Sequence, residues 1–499
     1  MLPSITIKPG KNGVVYNDPL VSLIVFLIRY PDLRSKVKHL QLELGSWTGV
    51  SKERYFAVQR LDNALKLQRL GEGPIDEESK RSEEAVELIL DYIQIEDWKI
   101  PVWSPGTSAA PPKHPRDELL RAPESFFVRL LLSLVPRLSH LEAKFPPGNE
   151  DEYPWHSPWE PIPYWSFLGY QDKELALPQL KSLRLRNSSL EMLPFLHHVK
   201  VLDVVYGSPG LIFLPNQLIQ SVRELRLAIL QGFDGGLGWE QAGDLQLVVN
   251  ALPHLTSIEF YYACGREVLA VDGRPKCARM HAGRFRFPVE ALGAMAKVRE
   301  SLEKLVLPTQ WTKISGLSNL DLGDMRIMYS QLKRFSNLKH LSVPDWALPN
   351  PSVISIYSED AQLDMLRQIG RNLETLTAAT TCKRRCFKDE SIHNLFPWLA
   401  KVAMPGLFPK LKEIQLLIHG VPPKINEPSL LKALSANGTT LSIRVVPRLR
   451  MLPGCPLRIP PETLLQGQEL ITSVPPQNTS YGGSGSRGVR RKCDHLGVC

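Results

Sequence analysis

The sequence is short of cysteine, with 7 in 499 residues at uneven spacing. That is too few for a disulfide framework, and an odd number fits a reducing compartment. Long apolar runs are missing too. The one membrane-like stretch, Leu20 to Ile28, is about half the ~20 residues a spanning helix needs, and Arg29, Tyr30 and Pro31 end it. Asp18 precedes this stretch and no small-residue cleavage site follows it, which excludes a good signal peptide. The Asn-x-Ser/Thr triplets at Asn187, Asn437 and Asn478 are therefore not expected to meet a glycosyltransferase. The expected location is cytoplasmic or nuclear.

Catalytic signatures are also lacking. No H-E-x-x-H, G-x-S-x-G or P-loop occurs, and no pair of carboxylates stands at a spacing that defends acid–base work. Gly483-Ser-Gly485-Ser-Arg-Gly488 matches G-x-G-x-x-G, but a dinucleotide site needs a strand before it and a helix after it. This match stands in a polar tail and reads as chance. Three Cys/His groupings occur: Cys264 with Cys277 and His281, Cys382 with Cys386 and His393, and Cys493 with His495 and Cys499. None offers four ligands or a C-x-x-C, so no metal is expected. The basic residues within Cys382-Lys-Arg-Arg-Cys386 would lower a thiol pKa, which makes it the best of the three. Cys499 is the last residue here, so no prenylation box is expected. No cofactor and no enzyme activity are expected.

The net charge of +9 is spread thinly, with part of it at Arg487, Arg490, Arg491 and Lys492. Nucleic acid ranks as a third choice of partner, through that tail and the basic segment from Lys276 to Arg286.

What is present in quantity is one phrase, apolar-x-x-apolar-x-apolar. It appears in succession as Leu180-Lys-Ser-Leu183-Arg-Leu185, Val199-Lys-Val-Leu202-Asp-Val204 and Val222-Arg-Glu-Leu225-Arg-Leu227. Earlier copies start at Val37 and Leu138, and later ones at Leu255, Leu302, Leu338, Leu373 and Leu411. Leu441 to Val445 alternates as a last strand. Helical stretches stand between the phrases: Gln241 to Ala251, Val289 to Glu300, Met325 to Phe335 and Asp360 to Arg371. Earlier helices are expected at Pro19 to Tyr30, Lys52 to Leu70, Glu77 to Ile95 and Pro123 to Val135. A strand-then-helix unit repeated in this way predicts an α/β fold: an irregular leucine-rich-repeat solenoid, or horseshoe, with a parallel sheet on the concave side and helices on the convex side.

Three regions follow. Residues 1–136 form an N-terminal helical portion with the first strand phrase, the first 18 residues having no core of their own. Residues 137–450 form the solenoid. Residues 451–499 form a Pro/Gly/Ser-rich tail expected to be disordered. An inserted loop at 145–170 carries Trp155, Trp159 and Trp165, which either dock a partner or cover one end of the stack.

Pro19 to Leu42, with Tyr30-Pro-Asp-Leu-Arg-Ser-Lys-Val-Lys-His-Leu-Gln-Leu at its end, resembles the start of the repeat region in F-box/leucine-rich-repeat-like proteins of filamentous fungi. The helix and strand from Phe126 to Leu141 are similar to a unit that recurs in the same family. The resemblance implies a substrate receptor of an SCF-type ubiquitin ligase, in which a preceding F-box binds a Skp1-type adaptor. Only 18 residues precede Pro19 here, and they do not supply the F-box helices. The adaptor is therefore expected only if an F-box is encoded upstream, and the alternative is an orphan scaffold that has lost it. The chain also departs from regular repeats in lacking an Asn after each phrase: Ser188, Gly207, Leu230 and Ala263 stand there.

The phrase assigns solvent-facing positions, because strand side chains alternate. Ser182, Arg184 and Arg186 line up beside Val201, Asp203 and Val205, then Glu224, Arg226 and Ala228, then Ser257, Glu259 and Tyr261. The middle column of Arg184, Asp203, Arg226 and Glu259 alternates in charge. It either satisfies itself or forms a recognition strip for a protein ligand, with Tyr261 as aromatic anchor. The expected function is non-catalytic protein recognition. The candidate residues are Arg184, Arg186, Asp203, Arg226, Glu259, Tyr261, Trp155 and Trp159.

Overall fold

The computed structural model describes residues 5–7, 18–43, 77–96, 115–120, 122, 124–144, 177–186, 197–205, 218–231, 242–264, 289–307, 322–344, 359–379, 395–404, 406–419, 428–446 and 469–470. The expected helix at Lys52 to Leu70 lies outside them.

Each strand phrase forms a strand: β2 His39–Glu43, β3 His140–Lys144, β4 Ser182–Arg186, β5 Val201–Val205, β6 Glu224–Gln231, β7 Ser257–Cys264, β8 Lys304–Val306, β9 His340–Pro344, β10 Thr375–Ala379, β11 Glu413–His419 and β12 Thr440–Val446. Two strands lie outside the phrases. β1 Ile5–Ile7 pairs with β2, and β13 Glu469–Leu470 pairs antiparallel with β12. The strands follow one another in chain order, and β1 to β12 are all parallel. The result is an open, solenoid-like α/β sheet. Parallel neighbours need a crossover connection, and helices are part of it.

These helices are α1 Pro19–Arg29, α2 Pro31–Arg34, α3 Glu77–Ile95, α4 Pro115–Leu120, α5 Glu124–Leu134, α6 Ala242–Ala251, α7 Val289–Ala294, α8 Leu322–Leu332, α9 Glu359–Arg367, α10 Leu395–Val402 and α11 Pro428–Asn437. The start of α1 is set locally. The Asp18 carboxylate accepts from the Leu20 and Val21 amides, and Pro19 occupies the first turn, where no donor is needed. The end of α11 is set by Gly438, whose φ of +65° lets the Thr439 amide reach back to the Leu434 carbonyl at 3.0 Å.

One hydrophobic core runs from Ile7 to Ile443. Ile7, in β1, packs into this shared core. Within each phrase the three apolar positions are buried: Val199, Leu202 and Val204, for example, or Leu373, Leu376 and Ala378. Each Leu or Val so buried stabilises the fold by about 1.5–3 kcal/mol. A fourth apolar residue stands three positions earlier in several units, at Val135, Leu177, Ile219, Leu252, Phe335 and Phe408, and it is buried as well. The chain turns there: the Leu138 amide meets the Val135 carbonyl, and the Leu411 amide meets that of Phe408.

The units are also stitched by side chains. Ser139 Oγ donates to the Lys38 carbonyl at 2.9 Å, Thr256 Oγ1 to Arg223 at 3.2 Å and Ser301 Oγ to Leu255 at 2.7 Å. Asn372 Nδ2 donates to Ser336 at 2.8 Å and Thr439 Oγ1 to Leu411 at 2.9 Å. Regular repeats carry an Asn after the strand. Here the stitch stands before it, and hydroxyl side chains share the task. The carbonyls of Leu255, Ser336 and Leu411 gain a donor in this way, while those of Lys38 and Arg223 also accept backbone amides of the next unit.

Candidate functional site: the outward face of the sheet

Alternation leaves one face of the sheet polar. On it the middle residue of each strand forms a continuous column: Thr6, Gln41, Glu142, Arg184, Asp203, Arg226, Glu259, Val306, Ser342, Thr377, Gln415 and Ser442. The register expected for Arg184, Asp203, Arg226 and Glu259 is the one present, and Glu142 extends the charged stretch by one strand.

The pairing within the column has a definite pattern. Arg184 Nε lies 3.1 Å from Asp203 Oδ2, close enough for an ion pair but out of line for a hydrogen bond. The other side of Arg184 faces Glu142 at 3.9 Å. Arg226 turns to its own strand and donates from Nε to Glu224 Oε1 at 2.7 Å. Glu259 meets Lys304 Nζ at 3.6 Å. Burial alone would lower the pKa of Arg226, but Glu224, Glu259 and Asp203 outweigh it and hold that pKa above the ordinary arginine value.

These groups are less accessible than alternation suggests. Asp203 is 4% exposed and Glu259 7%, because a narrow column of neighbours at about 4.8 Å spacing covers the short side chains. The Arg184 and Arg226 side chains keep 13% and 20% exposure, and those of Glu142 and Glu224 keep 21% and 24%. The backbones of Arg186 and Tyr261 lie in β4 and β7, beside this column. Trp155 and Trp159, with Trp165, lie outside the described residues. So do the Cys/His groupings apart from Cys264, the Gly483 to Gly488 match and both basic segments. Among the described residues no group of three or more His, Cys, Asp or Glu converges on one point. No helix among them is long and apolar enough to cross a membrane.

One feature on this face escaped the sequence reading. His39 and His140 are adjacent in register and stack, with ring centroids 4.2 Å apart and planes 5° from parallel. Ser139 Oγ lies 2.9 Å from the Lys38 carbonyl and 2.8 Å from His140 Nδ1. The signal was the repeated His ahead of Leu40 and Leu141.

No family model matches the chain, and no curated protein matches it. Among solved structures, a crystal structure of a protein from Bacteroides fragilis covers 74% of this chain and 85% of its own, at 14% identity and a TM-score of 0.26. A likeness of that size carries no argument about fold or function.

Proposed function

We propose that this chain is an irregular leucine-rich-repeat solenoid that recognises a protein ligand and catalyses nothing, with the sheet as its concave, ligand-facing side. The observation that carries the reading is the charged column from Glu142 to Glu259. Asp203 and Glu259 are sunk, Glu142 and the flanking Glu224 are partly exposed, and ion pairs to Glu142, Asp203 and Glu224 hold the guanidinium groups of Arg184 and Arg226, so arginine donors are presented in fixed positions. Pre-organised arginines lose little entropy on binding, which suits them to anchor a partner. Arg184 and Arg226 are the anchors in this reading, with Arg186 and Tyr261 beside them. The resemblance to F-box/leucine-rich-repeat-like proteins adds the role of receptor arm of an SCF-type ubiquitin ligase.

The test is co-purification with the full chain from cells that express it, comparing wild type with Arg184→Met and Arg226→Met. A protein retained by wild type and lost by both variants, while their melting temperatures stay near that of wild type, supports recognition through the column. An unchanged set of partners overturns it. A Skp1-type adaptor and a cullin in every sample would support the ligase role, and their absence would favour a stand-alone scaffold.

A further inference from the structure

We propose that the strand-entry edge of the first half of the sheet is a docking strip for an extended, acidic protein segment. This rests on the protein-recognition reading above and adds the chemistry of the ligand. The residue just ahead of each outward strand position is tied through its backbone to its counterpart in the preceding unit. Ser139 N donates to Lys38 O at 2.9 Å, Lys181 N to Ser139 O at 2.9 Å, Lys200 N to Lys181 O at 2.8 Å and Arg223 N to Lys200 O at 2.9 Å. Lys181, Lys200 and Arg223 therefore stand on successive rungs, about 4.8 Å apart, with Lys38 further along the same file.

Nothing among the described residues neutralises them. Lys38 Nζ and Arg223 Nη1 reach backbone carbonyls, of Arg137 at 3.4 Å and Gln220 at 2.7 Å, and a carbonyl cancels no charge. Lys181 and Lys200 are exposed and have no hydrogen bond or ion pair from their side chains among the described residues. Lys36 and Arg137, exposed in the turns just before β2 and β3, add to the same edge. Like charges on neighbouring rungs repel, so the folded state gains nothing from this arrangement. The chain does balance the file elsewhere: further along it reads Glu303, Lys339, Glu374 and Lys412, where Lys339 pairs with Glu303 at 2.9 Å and Lys412 with Glu374 at 2.6 Å.

The shape of the strip selects the ligand. From Lys38 to Arg223 it runs about 19 Å, the length of about six residues of extended chain. It is one side chain wide, which suits one strand and not the two phosphate backbones of a duplex. Its residues, Lys38, Ser139, Lys181, Lys200 and Arg223, carry no aromatic ring, and the two rings beside it, His39 and His140, stack on each other at one end, so no run of rings follows Lys181 to Arg223 on which successive bases of a single-stranded nucleic acid would stack. An acidic peptide needs neither a second backbone nor a ring.

The experiment titrates full-length protein into a fluorescent poly-glutamate peptide and, separately, a labelled thymidine oligonucleotide. Wild type is compared with Lys181→Glu/Lys200→Glu and with Lys339→Gln/Lys412→Gln. Every variant keeps the basic residues after Arg487, so their contribution cancels. The expected result is poly-glutamate binding that weakens as salt rises and falls about tenfold or more in the first variant, with little change in the second. Three outcomes overturn the proposal: no binding of poly-glutamate, equal loss in both variants, or tighter binding of the oligonucleotide through the same lysines. If the partners lost with Arg184→Met persist in Lys181→Glu/Lys200→Glu, the strip fails while protein recognition stands.

Discussion

The two halves of the sheet are built alike inside and differently outside. From β3 to β7 the middle column is charged, and the file ahead of the strands carries Lys181, Lys200 and Arg223 with no acid among them. From β8 to β11 the middle column is Val306, Ser342, Thr377 and Gln415, and the file ahead of it alternates in charge and pairs. The inward side chains meanwhile are leucine, isoleucine, valine, alanine or phenylalanine throughout. Packing dictates the inward set, because a buried polar group would cost more than the fold can spare. It leaves the outward set free. The first half spends that freedom on a column of charges that pair and on a file of cations that do not cancel, and the second on a file whose charges do.

If that division is right, inward substitutions should erase the difference between the halves. Leu225 in β6 and Leu376 in β10 are both essentially inaccessible, at 0% and 1% exposure. Changing either to Ala should cost about 2–5 kcal/mol through lost burial and a residual cavity. Urea unfolding of the two variants checks this, and a much smaller loss at Leu376 would mean that the second half unfolds independently.

Outward substitutions should restore the difference. Asp203→Asn leaves Arg184 and Arg226 facing each other without the charge between them, and should cost about 2–3 kcal/mol, below the value for a fully buried pair because both arginines keep some water. Thr377→Ala at the equivalent height in β10 removes a 3.4 Å contact to Gln415 and should stay within about 0.5 kcal/mol. Equal losses at the two sites would dissolve the distinction.

The stitches between units test whether the halves are joined in the same way. Thr439→Val removes the donor to the Leu411 carbonyl in a buried setting, and Ser139→Ala removes the donor to Lys38. Each should cost about 1 kcal/mol in the same unfolding assay.

The parts of this molecule legible in sequence are those that a period of two controls. The phrases at Leu180, Val199 and Val222 announce their strands, and the register follows once they are aligned, which is why Arg184, Asp203, Arg226 and Glu259 fall in one column from the sequence alone. The helix at Glu77–Ile95 was legible to the residue, for the similar reason that it has a long polar and apolar alternation of helical period. β1 and β13 were not legible, because three and two residues carry no period. α10 and α11 passed unmarked between phrases. The file of Lys181, Lys200 and Arg223 stood in plain view, yet its meaning depended on noticing which residues are neighbours across gaps of unequal length. The burial of Asp203 and Glu259 could not be read at all, since alternation gives the face of a side chain and not how far its neighbours cover it.

The smallest effect expected concerns the balanced half. The Lys412 ammonium, hydrogen-bonded to Glu374 at 2.6 Å, holds that carboxyl below the ordinary glutamate pKa, with lesser help from His340 and Lys339. A carboxyl whose pKa is depressed in the folded state contributes stability that is complete above its unfolded pKa and is lost as pH falls through the folded value. The window is therefore acidic, below the ordinary glutamate range, and neutral pH should show nothing. Lys412→Gln should move the Glu374 titration, followed by carboxyl carbon NMR, back up toward the ordinary value. Water screens both groups, so the accompanying change in stability should be slight. Lys181→Gln should leave the same titration unmoved, because the first-half lysines have no carboxylate in their file. A shift of Glu374 in that variant would mean that charge is balanced across the whole sheet, and the contrast between its halves would lose its basis.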